Sequence, residues 1–389
     1  MHHLLIPLLR LLSDGQFHSG TELAQQLGVS RATVCNVIKA SDNYGVQIYK
    51  VQGRGYRLPA RPDWLNSEQI IQQLHAAARR CVVHVVDCID STNTALMHAA
   101  DTSPDRVCLV AEQQLAGRGR RGRTWLSMLG GSLTFSVRWR LSLGISALSG
   151  LSLAVGLAVK RALCACGAQD VQLKWPNDLL WQGRKVAGIL IEVQGESHGP
   201  TVVVMGMGIN MRIPPAARQH IDQPVADVVD IVGHAIARNI LLAEILNHLT
   251  DVMTEFEQHG FVRLREEWLQ VHAHAQQYLH VTLAHGGEFT GRAIGLTPLG
   301  ALLLESESGE QVAIHSGDVQ LARSLSDLKN RSAVPLAGKP QSGCSQNSAG
   351  RGQILPVNSH SIDQKSGEIC ADQANLQPIS FKSDRLLDR

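Results

Sequence analysis

The chain has 389 residues, of which 44% are hydrophobic and 4% aromatic, and a formal net charge of +2. It is long enough for two or three domains with a substantial core, and its composition is that of a soluble globular protein. So small a net charge excludes a globally basic or acidic surface, so any charge-driven recognition must be local. The eight cysteines (35, 81, 88, 108, 164, 166, 344, 370) form no CxxC pair and no regular framework. They read as reduced thiols of a cytosolic protein. Cys164 and Cys166 form a CxC without nearby partner ligands, and no metal site is assigned.

The chain begins with an apolar run, Leu4 to Leu12, broken by Pro7 and Arg10, with no cleavage site after it. Ser19-Gly-Thr-Glu22 is a capping-box pattern that opens a helix through Leu27, and Gly28 breaks that helix. Ser30 can cap a second helix from Arg31 to about Ser41. Ala24, Gly28, Val34 and Val37 carry the spacing of a helix-turn-helix. After Gly45, two short β-like runs (Val46 to Val51 and Tyr56 to Leu58) flank Gln52-Gly-Arg-Gly55, the pattern of a wing. Residues 1–60 are therefore expected to be a winged helix-turn-helix. Ser30, Arg31, Thr33 and Asn36 lie at the exposed start of the second helix, and Lys50, Arg54 and Arg57 are placed for phosphates. The module is only mildly basic, so a protein-interaction role stands beside DNA binding. Pro59-Ala-Arg-Pro62 marks a linker.

From 66 to 270 strands and helices alternate, as in an α/β catalytic domain. Apolar runs at 81–86, 107–111, 186–193 and 201–207 read as strands, and 151–166 and 227–259 as the longest helices. The apolar stretch 141–159 is diluted by Ser and Gly and closed by Lys160-Arg161, so a buried helix fits it better than a membrane span. Residues 278–323 carry short strands with glycine turns, a small β-barrel. Residues 326–389 shift to Ser, Gln, Asn, Gly and Pro, and are expected to be a disordered tail.

The most informative stretch is Gly117-Arg118-Gly119-Arg120-Arg121-Gly122-Arg123. Four guanidinium groups alternate with three glycines just after a buried strand. Glycine permits close backbone approach, and arginine offers a permanent fork of donors to phosphate or carboxylate oxygens. The run matches neither GxxxxGK[ST] nor GxGxxG. Disordered RNA-binding segments and solvated surface also carry Arg–Gly runs. Four other segments accompany it. Asp90-Ser91-Thr92-Asn93 opens a helix, and capping by Ser91 alone can explain that run. Gln113 and Gln114 precede the loop, and one should face the same cavity. Lys174-Trp-Pro-Asn177-Asp178 ends a strand, and Lys185-Val-Ala-Gly-Ile-Leu190 begins the next with a lysine among apolar neighbours. Gly206-Met-Gly-Ile-Asn210 closes a fourth strand with glycines that leave room for a ligand.

Together, over residues 1 to about 323, these segments resemble the biotin protein ligases, and the N-terminal module makes the resemblance one to the bifunctional ligases that also repress the biotin operon. What the resemblance implies is an α+β multidomain protein: a winged helix-turn-helix, a class II synthetase-like catalytic domain and an SH3-like C-terminal barrel. It implies ATP, biotin and Mg²⁺, and a two-step reaction through biotinyl-5′-AMP to a lysine of a biotin carboxyl carrier protein. By position, Ser91, Thr92, Asn93, Gln114, Arg118, Gly119, Arg120 and Lys185 match biotin and adenylate contacts. Lys185, Arg118 and Arg120 would carry the chemistry. Asp178 matches a residue linked to Mg²⁺ or the second step, and Arg121, Arg123, Asn177 and Asn210 match the adenylate loop. Operator DNA, and a homodimer formed when the adenylate is bound, are the other partners implied; no membrane is. Met128 departs from the family, which often has proline there. A lipoate–protein ligase and a biotin sensor without catalysis are the competing readings. The complete arginine loop and Lys185 weigh against both.

Overall fold

The structure, a computed structural model, describes residues 3–99, 103–219, 221–283 and 286–322. The expected disordered tail, 326–389, lies outside the described residues. Among the described residues no helix is long and apolar enough to cross a membrane, and six cysteines are free.

The N-terminal part packs α1 (Leu5–Leu11), α2 (Gly20–Gln26) and α3 (Arg31–Ser41) with the hairpin β1 (Tyr49–Val51) and β2 (Gly55–Arg57). Leu8, Leu12, Leu23, Val34, Val37 and Tyr56 make its core. Ser19 caps α2 and Ser30 caps α3, each accepting a backbone N–H three residues on. The capping box is only half made: the Glu22 carboxylate lies 3.3 Å from the His18 ring instead. Arg54 and Arg57 of the wing lie 4.4 and 4.9 Å from the Phe17 ring centroid, a stack that holds two guanidiniums side by side.

After the linker, α4 (Ser67–Gln72) leads into a seven-stranded sheet. It contains β3 (Val82–Ile89), β4 (Arg106–Gln114), β5 (Ser132–Leu141), β6 (Gln172–Lys174), β7 (Asp178–Trp181), β8 (Arg184–Gly195) and β9 (Thr201–Asn210), in the order β3-β4-β5-β9-β8-β7-β6. Only β3 and β4 run parallel, and α5 (Thr92–Met97) lies between them in sequence.

Strand periodicity divides this sheet into two unlike faces. Leu133, Phe135, Val137 and Trp139 of β5, Ala187 and Ile189 of β8, and Val203, Met205, Met207 and Ile209 of β9 enter one continuous core. That core includes α6 (Leu151–Ala165) and α9 (Arg238–His259). The alternate positions (Thr134 and Ser136, Gly188 and Glu192, Gly206 and Gly208) belong to the opposite face. Registry sets Ser136 beside Gly206, and Thr134 beside Gly208, which is itself beside Gly188. A floor of small and polar residues results, and it forms the site.

Two sequence expectations are corrected. The stretch 227–259 is not one helix. Asp227 makes a reciprocal capping box for α8 (Val228–Val232), Gly233 stops it at φ 83°, and α9 starts afresh at Arg238. The short α7 (Pro215–Arg218) precedes them. Of the apolar stretch 141–159, only the part from Leu151 is α-helix, because Leu141 ends β5.

Beyond α10 (Arg265–Gln270), β10 (Tyr278–Leu283), β11 (Glu288–Leu296), β12 (Leu302–Glu305), β13 (Gln311–Ile314) and β14 (Gly317–Leu321) form an antiparallel sheet in the order β13-β12-β11-β10-β14. Leu279, Val281, Leu296 and Leu302 join the main core, and Trp175 Nε1 donates to the Gly300 carbonyl at 3.0 Å.

Between α10 and β10, His272 and His274 are 5% and 7% exposed, with ring centroids 6.4 Å apart. Burial pushes both down to about 4, helped by His274 beside His272 and by Lys174 beside His274. An unfolded histidine takes up its proton near 6.5. Stability is therefore fully present above that pH and falls as the pH drops toward 4, by up to about 3 kcal/mol per histidine. Urea denaturation across this range should show a flatter acid limb in a His272→Gln, His274→Gln variant. An unchanged limb would contradict the assignment.

Candidate active site

The site is built on the small-residue face of the central sheet, where β3 and β4 end. Ser91 caps α5 by accepting from the Thr94 amide at 3.3 Å. Thr92 is fixed twice, its amide and hydroxyl donating to Gln114 Oε1 at 2.8 and 3.0 Å. Of the two glutamines, Gln114 thus reaches α5, while Gln113 is buried. Asn93 accepts from Ser136 Oγ at 2.5 Å and donates to Glu192 Oε2 at 2.9 Å. Its carboxamide occupies the space over Gly206, where a Cβ would come within 2.2 Å of it.

The glycines of β9 therefore do not leave the room that the sequence suggested. Gly206 makes way for Asn93, and Gly208 for the Trp125 indole, which lies 2.3 Å from a notional Cβ. Trp125 also covers Gly188, and Lys185 Nζ sits 5.8 Å from its ring centroid. The indole follows directly from the arginine loop, so loop and sheet are joined through this contact.

The loop itself is ordered by short backbone hydrogen bonds. Gly119 N donates to Arg123 O at 2.7 Å, Arg123 N to Arg120 O at 3.2 Å, and Trp125 N to Gly117 O at 2.9 Å. Arg121 takes φ 55° and Gly122 φ 71°, so the tight turn depends on a left-handed pair. The four guanidiniums go to different places. Arg118 forks onto Glu192 at 2.8 and 3.3 Å and reaches Thr94 Oγ1 at 3.2 Å. Arg120 donates to Asn177 Oδ1 at 2.9 Å. Arg121 and Arg123 both reach Asp318 of β14, at 3.0 and 2.6 Å. Burial pushes the Arg120 guanidinium below its usual value, with Asp318 the chief charge opposing the shift. Of the four, only Arg120 is matched by a neutral side chain and no carboxylate.

Lys185 and Asp178 form the second charged centre, 2.8 Å apart and each 17% exposed. Burial lowers Lys174 nearby, and Asp178 opposes that shift most. Asn177 and Asn210 serve the frame: Asn177 Nδ2 donates to Ile189 O at 2.9 Å, and Asn210 Nδ2 to Lys185 O and Ala226 O at 3.2 and 3.1 Å. Their carboxamides position Lys185 and the loop from behind. Arg118, Arg120 and Lys185, held by Glu192, Asn177 and Asp178, set positive charge beside the polar floor, suited to an anion that meets a second anion.

Sequence reading missed Glu192, Ser136, Trp125 and Asp318. The two on the sheet had a signal. Glu192 is a lone carboxylate in the apolar run of β8, and Ser136 lies in the strict alternation of Ser132 to Leu141. At the other end of the chain, Ser30, Arg31, Asn36 and Arg54 are exposed and Thr33 partly so, with Thr33 Oγ1 2.9 Å from Ser30 Oγ.

Similarity to known proteins extends over the N-terminal, central and C-terminal parts of the chain. Residues 85–210 match the Biotin/lipoate A/B protein ligase family, 5–57 an HTH domain, and 280–322 the Biotin protein ligase C terminal domain. The chain is 35% identical to the Bifunctional ligase/repressor BirA of Escherichia coli (strain K12) over 319 residues, 80% of this chain and 98% of that protein. It is 34% identical to the Biotin--[acetyl-CoA-carboxylase] ligase of Paracoccus denitrificans over 229 residues, 57% of this chain and 94% of that one. The solved biotin protein ligase from Aquifex aeolicus, in complex with biotin and ATP, superposes with a TM-score of 0.53 at 28% identity, covering 62% of this chain and 99% of that one.

Proposed function

The chain belongs to the family of bifunctional biotin ligase/repressors, and on that premise we propose how its site works and what it serves. The protein is an ATP-dependent biotin–[biotin carboxyl carrier protein] ligase that also acts on operator DNA of biotin genes. We read residues 1–60 as the DNA module, 66–270 as the catalytic domain and 278–323 as the C-terminal β-domain. The observation that carries the reading is the placement of Arg118, Arg120 and Lys185 around one polar floor.

In the first step a biotin carboxylate oxygen attacks the α-phosphorus of ATP, the bond to the bridging oxygen breaks, and pyrophosphate leaves. Bringing a carboxylate against a polyphosphate demands fixed positive charge in a water-poor site. Lys185 supplies it at the carboxylate and α-phosphate, Arg120 beside it, and Arg118 with Gly119 along the loop. Ser91, Thr92, Asn93 and Gln114 hold the neutral head group of biotin, with Thr92 fixed by Gln114 and Asn93 by Ser136 and Glu192. Mg²⁺ would screen the phosphates. Among the described residues no cluster of three or more His, Cys, Asp or Glu is placed to hold a metal. Asp178, held by Lys185, is the carboxylate that would face such an ion.

In the second step a carrier lysine amine attacks the acyl carbon of biotinyl-5′-AMP, AMP leaves, and an amide forms. Asp178 stands where it could take the proton that the amine loses. Incubation with labelled biotin, ATP and an apo carrier domain tests this. Label should appear on one carrier lysine, and carrier left unlabelled while adenylate accumulates would remove Asp178 and this site from the second step.

The DNA module acts as a repressor when the adenylate is bound and the protein dimerises, and the setting is the cytoplasm. Asn36 faces base edges, and Arg54 faces phosphate. Gel-shift titrations should show Arg54→Ala weakening binding on all sequences, with the salt slope reduced by about 1, and Asn36→Ala relaxing sequence preference. Equal losses on every sequence for both variants would remove Asn36 from base readout.

A further inference from the structure

The polar floor is a chain of hydrogen bonds that runs in one direction. At one end the Thr92 backbone amide, which can only donate, meets Gln114 Oε1 at 2.8 Å. At the other the Glu192 carboxylate, which can only accept, takes Asn93 Nδ2 on Oε2 at 2.9 Å. Between them lie groups that can serve either way: the Asn93 carboxamide and the hydroxyls of Ser136 and Thr92. Because Nδ2 faces Glu192, Oδ1 faces Ser136, whose hydroxyl donates to it at 2.5 Å. Ser136 then has no proton left for Thr92 Oγ1, 2.6 Å away, so Thr92 donates into that contact. Its one proton is shared with Gln114 Oε1 at 3.0 Å, and the Thr92 oxygen keeps its lone pairs for an incoming donor. Thr92, Asn93 and Ser136 are 2%, 4% and 0% exposed, so water cannot compensate for a reversed member.

We propose that Glu192 is a positioning residue that sets the direction of every hydrogen bond across the floor, so that the floor accepts one polarity of head group. The proposal deepens the ligase reading and rests on it for the identity of that head group. Glu192 acts through Asn93 and Ser136, not on the reacting atoms. The Leu190 carbonyl, 3.4 Å from Asn93 Nδ2, favours the same orientation at the limit of hydrogen bonding, so the carboxylate is the stronger determinant. A glutamine of the same shape shows why charge is needed. Arg118 forks onto both Glu192 oxygens, at 2.8 and 3.3 Å, and would claim the one oxygen of a carboxamide. The new NH₂ group would then face Asn93, which could accept from it only by turning over. Nδ2 would point at Ser136, Ser136 would donate to Thr92, and a lone pair meant for the head group would be occupied.

Adenylation kinetics test the assignment. Glu192→Gln should raise KM for biotin roughly five- to tenfold while KM for ATP and kcat stay within about twofold, a split that general loosening of the fold would not give. The pair Glu192→Gln, Asn93→Asp exchanges the two groups: the new carboxylate accepts both from Ser136 and from the new carboxamide, and Ser136 donates as before. Its KM for biotin should return to within about threefold of the natural value, better than either single variant. An unchanged KM in Glu192→Gln, or a pair as poor as the product of its singles, would overturn the proposal. Selective ¹⁵N labelling of asparagine adds a readout that needs no catalysis. The Asn93 side-chain amide, identified by its loss in Asn93→Asp, should exchange with water roughly tenfold faster in Glu192→Gln than in the natural protein. An unmoved amide would overturn the role of Glu192 whatever the activity. A natural protein that forms no adenylate would sink the ligase reading, and the amide would still decide the role of Glu192.

Discussion

Replacing Lys185 by alanine should lower the rate of biotinyl-adenylate formation by roughly 10²–10³-fold, the usual loss when one preorganised charge facing the reacting group is removed. The expectation follows from position. Lys185 lies at the start of β8, held from behind by Asn210 through its carbonyl and covered by Trp125. It is 17% exposed, so its charge acts in a partly dry site where it counts for more than in water. Asp178, 2.8 Å away, would be left without its cation in the variant. A Lys185→Ala, Asp178→Asn variant separates the two effects by removing the stranded carboxylate. Single-turnover formation of adenylate is the measurement, with circular dichroism as the check on folding. A rate within threefold or so of the natural protein's would remove Lys185 from the first step.

The second large effect concerns stability. Glu112→Ala should destabilise the protein by about 3–5 kcal/mol, the range for breaking one side of a buried ion pair. Glu112 and Arg238 are 1% and 2% exposed, with Oε2 and the guanidinium 2.7 Å apart. Glu112 Oε1 also accepts from the Leu65 amide at 2.7 Å, and Arg238 donates to the Asp63 carbonyl. The segment after the Pro59–Pro62 linker is thus fastened to β4 and α9 by one charged knot. Its loss leaves the buried guanidinium with Asp63 alone as a counter-charge, 3.8 Å away, and frees the linker as well. Replacing Glu112 and Arg238 jointly by Met and Leu should recover most of the stability, because the cost lies in the unpaired charge. Urea midpoints decide it. A Glu112→Ala loss below about 1 kcal/mol would mean that water or a rearranged partner reaches Arg238.

What the sequence made legible was the part written in local patterns. The caps at Ser19 and Ser30, the wing glycines, and the apolar strands β3, β4, β8 and β9 follow from short-range chemistry, and the structure has them. The strand β5 is not among the apolar runs, because Ser132 to Leu141 alternates and its polar half, buried against the site, resembles surface. The region 227–259 read as a single helix because its apolar spacing is continuous, whereas Gly233 and the Asp227 cap divide it. Motif residues were found from the loop and strand ends, but their partners were not. Glu192, Asp318 and Trp125 come from sequence positions far from what they touch, and only the fold brings them together. The glycines of β9 illustrate the same limit: the absence of a side chain was readable, and what fills the space was not.

The most direct test of the account is biotin-dependent exchange of labelled pyrophosphate into ATP, run in parallel with lipoate. The site predicts exchange with biotin, none with lipoate, and loss of the biotin signal in Lys185→Ala. Exchange with lipoate alone would place the substrate specificity in the neighbouring branch of the ligase family. No exchange with either acid would contradict adenylation by Arg118, Arg120 and Lys185 altogether.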